Sequence, residues 1–161
     1  MAHKVVSLKR GFPYTSTTVP FQTSVGQIMG LLGKYKCARI GVVTEAAGDI
    51  TTTTLVFERD GATYLVEFPI TYYIDSRGKR LNMNISGRII HDRLKALLID
   101  VEIGYLDFSQ AMMGYRALPD GSGKMISLQD AYERCGDQLP ACGFDLRLAL
   151  PGGGEPTGLQ G

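Results

Sequence analysis

The stretch Ile89–Met113, IIHDRLKALLIDVEIGYLDFSQAMM, decides the fold. Ile90, Leu94, Leu97, Leu98, Val101, Tyr105, Phe108 and Met112 recur at steps of three and four, the apolar stripe of an amphipathic helix. Asp92, Arg93, Lys95, Asp100 and Glu102 fall largely off that stripe. Gly104 is expected to divide the stretch into a long helix from Ile90 and a shorter one beginning near Asp107. A stripe this long needs a partner surface, and the residues before it offer one as β-strands.

The clearest strands flank Asp60-Gly61, a two-residue type I′ turn signal. Ile50–Arg59 carries four threonines followed by Leu-Val-Phe, and Ala62–Ile70 returns in alternation. Ala62, Tyr64, Val66 and Phe68 share one face, with Thr63, Leu65 and Glu67 on the other; Pro69 ends regular pairing. Arg39–Glu45 reads as a third strand, closed by a loop at Ala46–Asp49. Thr15–Gln22 is β-prone and confined by Pro20 to an edge, while Met1–Phe12 reads as a loose arm or edge strand. After these, Ser24 and Gln27 form a capping box opening a helix to Tyr35. Gly26, Gly30 and Gly33 weaken that helix by roughly 1 kcal/mol each. Either it is short, or those glycines admit another backbone.

Downstream, LPDGS at Leu118–Ser122 is a tight turn, Ser127 caps a last helix at Leu128–Cys135, and Gly136 stops it. Phe144–Leu150 reads as a short strand or extended segment. The fold class that follows is α+β: an antiparallel sheet of three to four strands packed against two or three helices. One domain is expected over residues 1–150, then a flexible tail, PGGGEPTGLQG, over 151–161. The second sheet face is either exposed or a homo-oligomer surface, for which Val42, Leu55 and Leu65 are the candidate residues.

The totals exclude several classes. A length of 161 residues fits one domain, and 44% hydrophobic with 20% charged residues is ordinary globular composition. A net charge of +1 argues against a strongly basic nucleic-acid binder while leaving room for a local patch. No apolar run approaches the roughly 18 residues that cross a bilayer, so no membrane partner is expected. The first residues hold too short an apolar segment for a secretory signal. Three cysteines, an odd number, make no disulfide framework and point to a reducing cytoplasm.

No residue pattern carries an enzymatic signature, and neither a metal nor a cofactor is expected. His91-Asp92 resembles half of a metal-binding pair, but the only other histidine is His3 near the terminus. Cys37, Cys135 and Cys142 lack zinc-knuckle spacing and read as small packed side chains. Nucleophilic catalysis lacks a histidine base beside a Ser, Cys or Thr. The strand YLVEFPI has Glu67 without the lysine two positions later that nuclease hairpins use, and Gly152–Gly154 opens no helix.

What remains is the long connection Thr71–Arg88, TYYIDSRGKRLNMNISGR. Tyr72 and Tyr73 are followed by Arg77, Lys79, Arg80 and Arg88, with Asn82, Asn84 and Ser86 among them; Lys34, Lys36 and Arg39 extend the patch if the first helix ends nearby. Aromatic faces stack on bases while Arg and Lys neutralise phosphates, so a mobile basic loop here predicts contact with single-stranded DNA or RNA. Two alternatives stand beside it: a module that binds a host or viral protein through an exposed apolar sheet face, and a small structural or assembly protein.

Three stretches together carry a resemblance: Thr17–Ile40 (TTVPFQTSVGQIMGLLGKYKCARI), Leu55–Ile70 (LVFERDGATYLVEFPI) and Arg93–Tyr132, which includes VEIGYLDF and LPDG. In this order the chain resembles a group of small phage and prophage proteins without an assigned activity. The likeness spans residues 17 to 132. It departs at Cys37, where the pattern has Gly, and at ISGRIIHDRLKALL, which replaces a segment richer in Arg and Trp. The resemblance implies an origin in a virus or integrated element and proximity to DNA recombination or replication, and it transfers no catalytic residue.

Overall fold

The computed structural model describes residues 4–140 and 142–145. In chain order these form β1 (Val5–Lys9), α1 (Phe21–Lys34), β2 (Ala38–Ala47), β3 (Ile50–Arg59), β4 (Ala62–Phe68), β5 (Ile70–Asp75) and β6 (Gly78–Leu81). There follow α2 (Met83–Glu102), the short α3 (Phe108–Ala111), β7 (Ala117–Pro119), β8 (Met125–Ser127) and α4 (Leu128–Cys135). The fold is α+β, with three small sheets ordered β2-β3-β4, β1-β5-β6 and β7-β8. The expected tail at 151–161 and most of the expected segment Phe144–Leu150 lie outside the described residues.

The main core forms where sequence alternation meets the helical stripe. Leu55 and Phe57 of β3 pair with Val66 and Tyr64 of β4, so all four side chains share one face. That face is fully buried against Val25, Ile28 and Leu32 of α1 and Ile90, Leu94 and Leu98 of α2. Phe57 and Tyr64 stack at 5.2 Å, and the Phe108 ring meets Tyr64 edge-on at 5.7 Å. The β3–β4 turn has Asp60 at φ +51° and Gly61 at φ +75°, both left-handed as a type I′ turn requires. Leu55 and Leu65 therefore lie on opposite faces and cannot supply one exposed surface. Val42, opposite Leu55, belongs to the helix side.

The long helix begins seven residues earlier than the stripe suggested. Asn82 caps it by accepting the Asn84 backbone N–H at 3.2 Å. The stripe does continue upward from Ile90, but through Ser86 and Gly87, both buried and neither apolar enough to register as core. Small residues stand there because α1 crosses at that point: a Cβ on Gly87 would lie 2.9 Å from Ser24 Cβ. Asp107 caps α3 in a full capping box, Ile103 caps α2, and Gly104 adopts φ +75° between them.

Further expectations are corrected. Helix α1 starts at Phe21 after Pro20, and its first N–H is capped from another element, by Asn84 Oδ1 at 2.9 Å. Ser24 is buried rather than capping, and Gln27 instead accepts from Arg88 at 2.8 Å. Gly26, Gly30 and Gly33 admit no close backbone, since a Cβ on any of them meets nothing within 4 Å. Residues 15–20, expected to be strand, form turns and bends leading into α1. β2 runs to Ala47, leaving only Gly48 and Asp49 as the turn before β3. Leu118 and Pro119 belong to β7, and the turn proper is held by Asp120, whose Oδ1 accepts the Ser122 and Lys124 N–H groups at 2.9 and 3.0 Å.

Candidate nucleic-acid interface

The connection expected to be a mobile loop is ordered structure. Residues 70–81 form the β5–β6 hairpin, and residues 83–88 are the first turns of α2. The expected strand near the N-terminus exists as β1, and it pairs parallel to β5 with Val5 opposite Ile70 and Lys9 opposite Ile74. The expected antiparallel sheet around the Asp60-Gly61 turn is β2-β3-β4, and β1-β5-β6 is a second, mixed sheet that was not expected.

Strand register sorts the candidate residues. Side chains directly opposite one another share a face. On one face Lys9, Ile74 and Lys79 form a row, and Ser7, Tyr72 and Leu81 form the next. Val5 and Leu81 at its margins are about half exposed, at 49% and 60%. The Lys79 Nζ sits 4.2 Å from the centroid of the Tyr72 ring. On the other face Leu8, Tyr73 and Arg80 form a row, with Leu8 buried. Tyr72 and Lys79 therefore act together, and Tyr73 and Arg80 stand behind them.

Charge concentrates at one end of this sheet. Because β1 and β5 run parallel, Lys9 and Arg10 finish beside the β5–β6 turn that carries Arg77, with Lys79 just after it in β6. Arg80 is ion-paired with Asp75. The Arg77 backbone N–H, donating to Asp75 Oδ1 at 2.8 Å, together with Arg80 holds the Asp75 carboxyl below its ordinary value. Among the described residues no ion pair engages Lys9, Arg10, Arg77 or Lys79, so four cations face solvent around one carboxylate already satisfied by Arg80.

Arg88 is not part of this group. It lies on α2, donating to Gln27 at 2.8 Å and to Asp92 at 3.0 Å. Asp92 also lies 2.6 Å from His91 Nδ1 and accepts from the Tyr14 hydroxyl. Burial raises the Asp92 carboxyl, but the His91 hydrogen bond, the Arg88 charge and the Tyr14 hydrogen bond outweigh it, and the net shift is downward. Tyr14 adopts φ +70°, a costly conformation for a residue with a side chain. The His91-Asp92 pair thus clasps the turn before α1 onto α2. Asn82 and Asn84, expected beside the cations as contacts, are occupied in capping α2 and α1. Thr71 Oγ1 donates to the Asn82 carbonyl, and the Asn82 N–H returns to the Thr71 carbonyl at 2.8 Å.

Lys34, Lys36 and Arg39 gather around the end of α1 and the start of β2, on elements not paired with this sheet. Ser7, Lys9, Arg10 and Leu81 were not among the candidates. Met1–Phe12 reads in sequence as a loose arm or an edge strand, and nothing local indicates a partner for it. Among the described residues no group of three or more His, Cys, Asp and Glu side chains is placed to hold a metal ion. No helix among them is long and apolar enough to cross a membrane. Compared with family models, curated proteins and solved structures, the chain matches none.

Proposed function

We propose that the chain is a non-enzymatic accessory protein, of the mobile-element kind its sequence resembles, that contacts single-stranded nucleic acid. The contact surface is the outer face of the β1-β5-β6 sheet. The observation that carries this reading is the row structure, which puts the Tyr72 ring on one face with Ile74, Leu81, Lys9 and Lys79, while Arg10 and Arg77 lie in the turns at the end of that sheet. A base stacking on Tyr72 displaces Lys79 from the ring. Giving up that exposed cation–π interaction costs about 0.5–1 kcal/mol, while a stacked base contributes about 1–3 kcal/mol. Stacking wins, and the released ammonium is left beside the strand where a phosphate accepts it.

Fluorescence anisotropy with labelled single- and double-stranded oligonucleotides tests the proposal. Four phosphate contacts give a salt slope of about −3 for a single strand, so affinity should fall about fifty-fold between 50 and 200 mM salt. Tyr72→Ala should weaken binding about tenfold or more with the slope unchanged, and Lys9→Ala with Lys79→Ala should flatten the slope by about 1.4. Absence of binding at 50 mM salt, or equal binding by all variants, refutes the proposal.

A further inference from the structure

The β2-β3-β4 sheet has a second face, away from the helices. Val43, Val56 and Leu65 project from it, and β8 with α4 stands opposite, presenting Met125 and Ile126. Between these walls lies an open groove of about 1210 Å³. Val43 and Met125 on its rim are 48% and 44% exposed. The groove shares no strand with the β1-β5-β6 sheet, so it is independent of the nucleic-acid reading.

Its charges are unequal in their partners. Glu45 is bridged to Lys124 at 3.4 Å. Asp130 and Glu133 share Lys4 at 3.0 and 3.8 Å, and Arg134 is turned to Asp120 at 3.9 Å. Glu67, opposite Thr54 and on the edge strand β4 of the groove floor, has no such partner among the described residues. Among the described residues its Oε1 is shut off from solvent and has no hydrogen-bond partner. A carboxylate oxygen that has left water without gaining a donor is costly, and a turn of the half-buried Glu67 side chain into the groove to meet a cation recovers that cost. Val56 and Leu65, the next pair along the floor from Glu67, accept aliphatic groups flanking such a cation.

We infer that this groove binds an extended polypeptide segment in which an arginine or lysine is flanked by apolar residues, the cation pairing with Glu67. Two features favour a peptide over a small amine. The volume exceeds the roughly 300–1,000 Å³ usual for small-ligand pockets, and its floor takes residues from all three strands β2, β3 and β4. Strand-like alternation in the ligand also matches the arrangement, because a central cation then faces the floor while its neighbours contact the walls.

The test is anisotropy of the full chain with two fluorescein-labelled ten-residue peptides, one alternating Leu and Arg and one alternating Leu and Glu. Saturable binding of the Leu/Arg peptide alone, weakened at least tenfold by Glu67→Gln and unchanged by Asp107→Asn on the far side of the core, supports the inference. Equal binding of both peptides, no saturable binding, or full affinity in Glu67→Gln overturns it. Backbone amide shifts on titration locate the contact: changes at Val43, Val56, Leu65 and Met125 support it, and changes elsewhere overturn it. If sedimentation shows the chain dimerising through this groove, with Leu65→Lys restoring the monomer, a second copy is the occupant and the peptide assignment fails.

Discussion

Replacing Gly87 with alanine should destabilise the protein even though alanine is the better helix former. At this point α2 meets α1 so closely that a Cβ would stand 2.9 Å from Ser24 Cβ and 3.1 Å from Phe21 Cδ2. Neither neighbour can withdraw freely: Ser24 is fully buried, and Phe21 is packed edge-on against Phe68 at 5.0 Å. Helix propensity favours alanine by about 1 kcal/mol, while forcing a methyl into a packed contact costs about 1–3 kcal/mol. The net is a loss of about 1 kcal/mol, or about 2–4 °C in melting temperature for a chain of this size. Gly30→Ala on α1 supplies the matched control. It lies in a helix, is exposed and has nothing within 4 Å of its Cβ, so the propensity gain stands alone. It should raise stability by up to about 1 kcal/mol. Urea unfolding followed by circular dichroism measures both. If Gly87→Ala is stabilised as much as Gly30→Ala, the helices do not cross in contact there, and the account of why the stripe runs through Ser86 and Gly87 fails.

Three further outcomes follow from the same structure. Ser24→Ala removes a buried hydroxyl with no partner among the described residues, so urea unfolding should show it neutral or stabilised by up to about 1 kcal/mol; a clear loss would mean that the hydroxyl is bonded. Asp92→Asn should loosen the turn that carries Tyr14, and its effect should depend on pH. Because the folded-state carboxyl lies below its ordinary value, its contribution is fully present above about pH 4 and is lost as pH falls through the folded value. Wild type and variant should thus differ at pH 7 and converge as pH falls through that lowered value in thermal scans, and a constant difference would disprove the clasp. Thiol labelling should proceed at the exposed Cys142 well before Cys37, whose thiol burial pushes up to about 11; equal rates would contradict that burial.

Local signals were legible wherever structure is local. The Asp60-Gly61 hairpin, the Asp107 and Ser127 caps and the Gly104 break each depend on residues within a few positions, and each stands where expected. The errors arose from contacts between distant segments. Ser24 resembles a cap because nothing nearby reveals that Asn84, about sixty residues on, takes that role. Asn82, Asn84 and Ser86 resemble a polar loop because caps and close helix crossings use the same small polar residues as loops. The candidate interface is half legible for the same reason. Tyr72 and Lys79, expected as loop neighbours, prove to be neighbours on a sheet face, whereas Lys9 and Arg10 join them only through the pairing of β1 with β5.

That pairing also shapes how the molecule assembles. About 65 residues separate Val5 from Ile70, so β1 is among the most distant partners the chain has to find. The β3–β4 and β5–β6 hairpins need far shorter closures, and contacts of long sequence separation are slow to form. β1 should therefore dock late and detach first, its amides exchanging with solvent before those of β3 and β4. While it is absent, β5 presents an open edge able to accept the same strand from another molecule. Strand exchange at β1 is consequently the route by which this protein would misassemble at high concentration, and each donated strand would bring its own Lys9 to the neighbouring molecule's Tyr72 face.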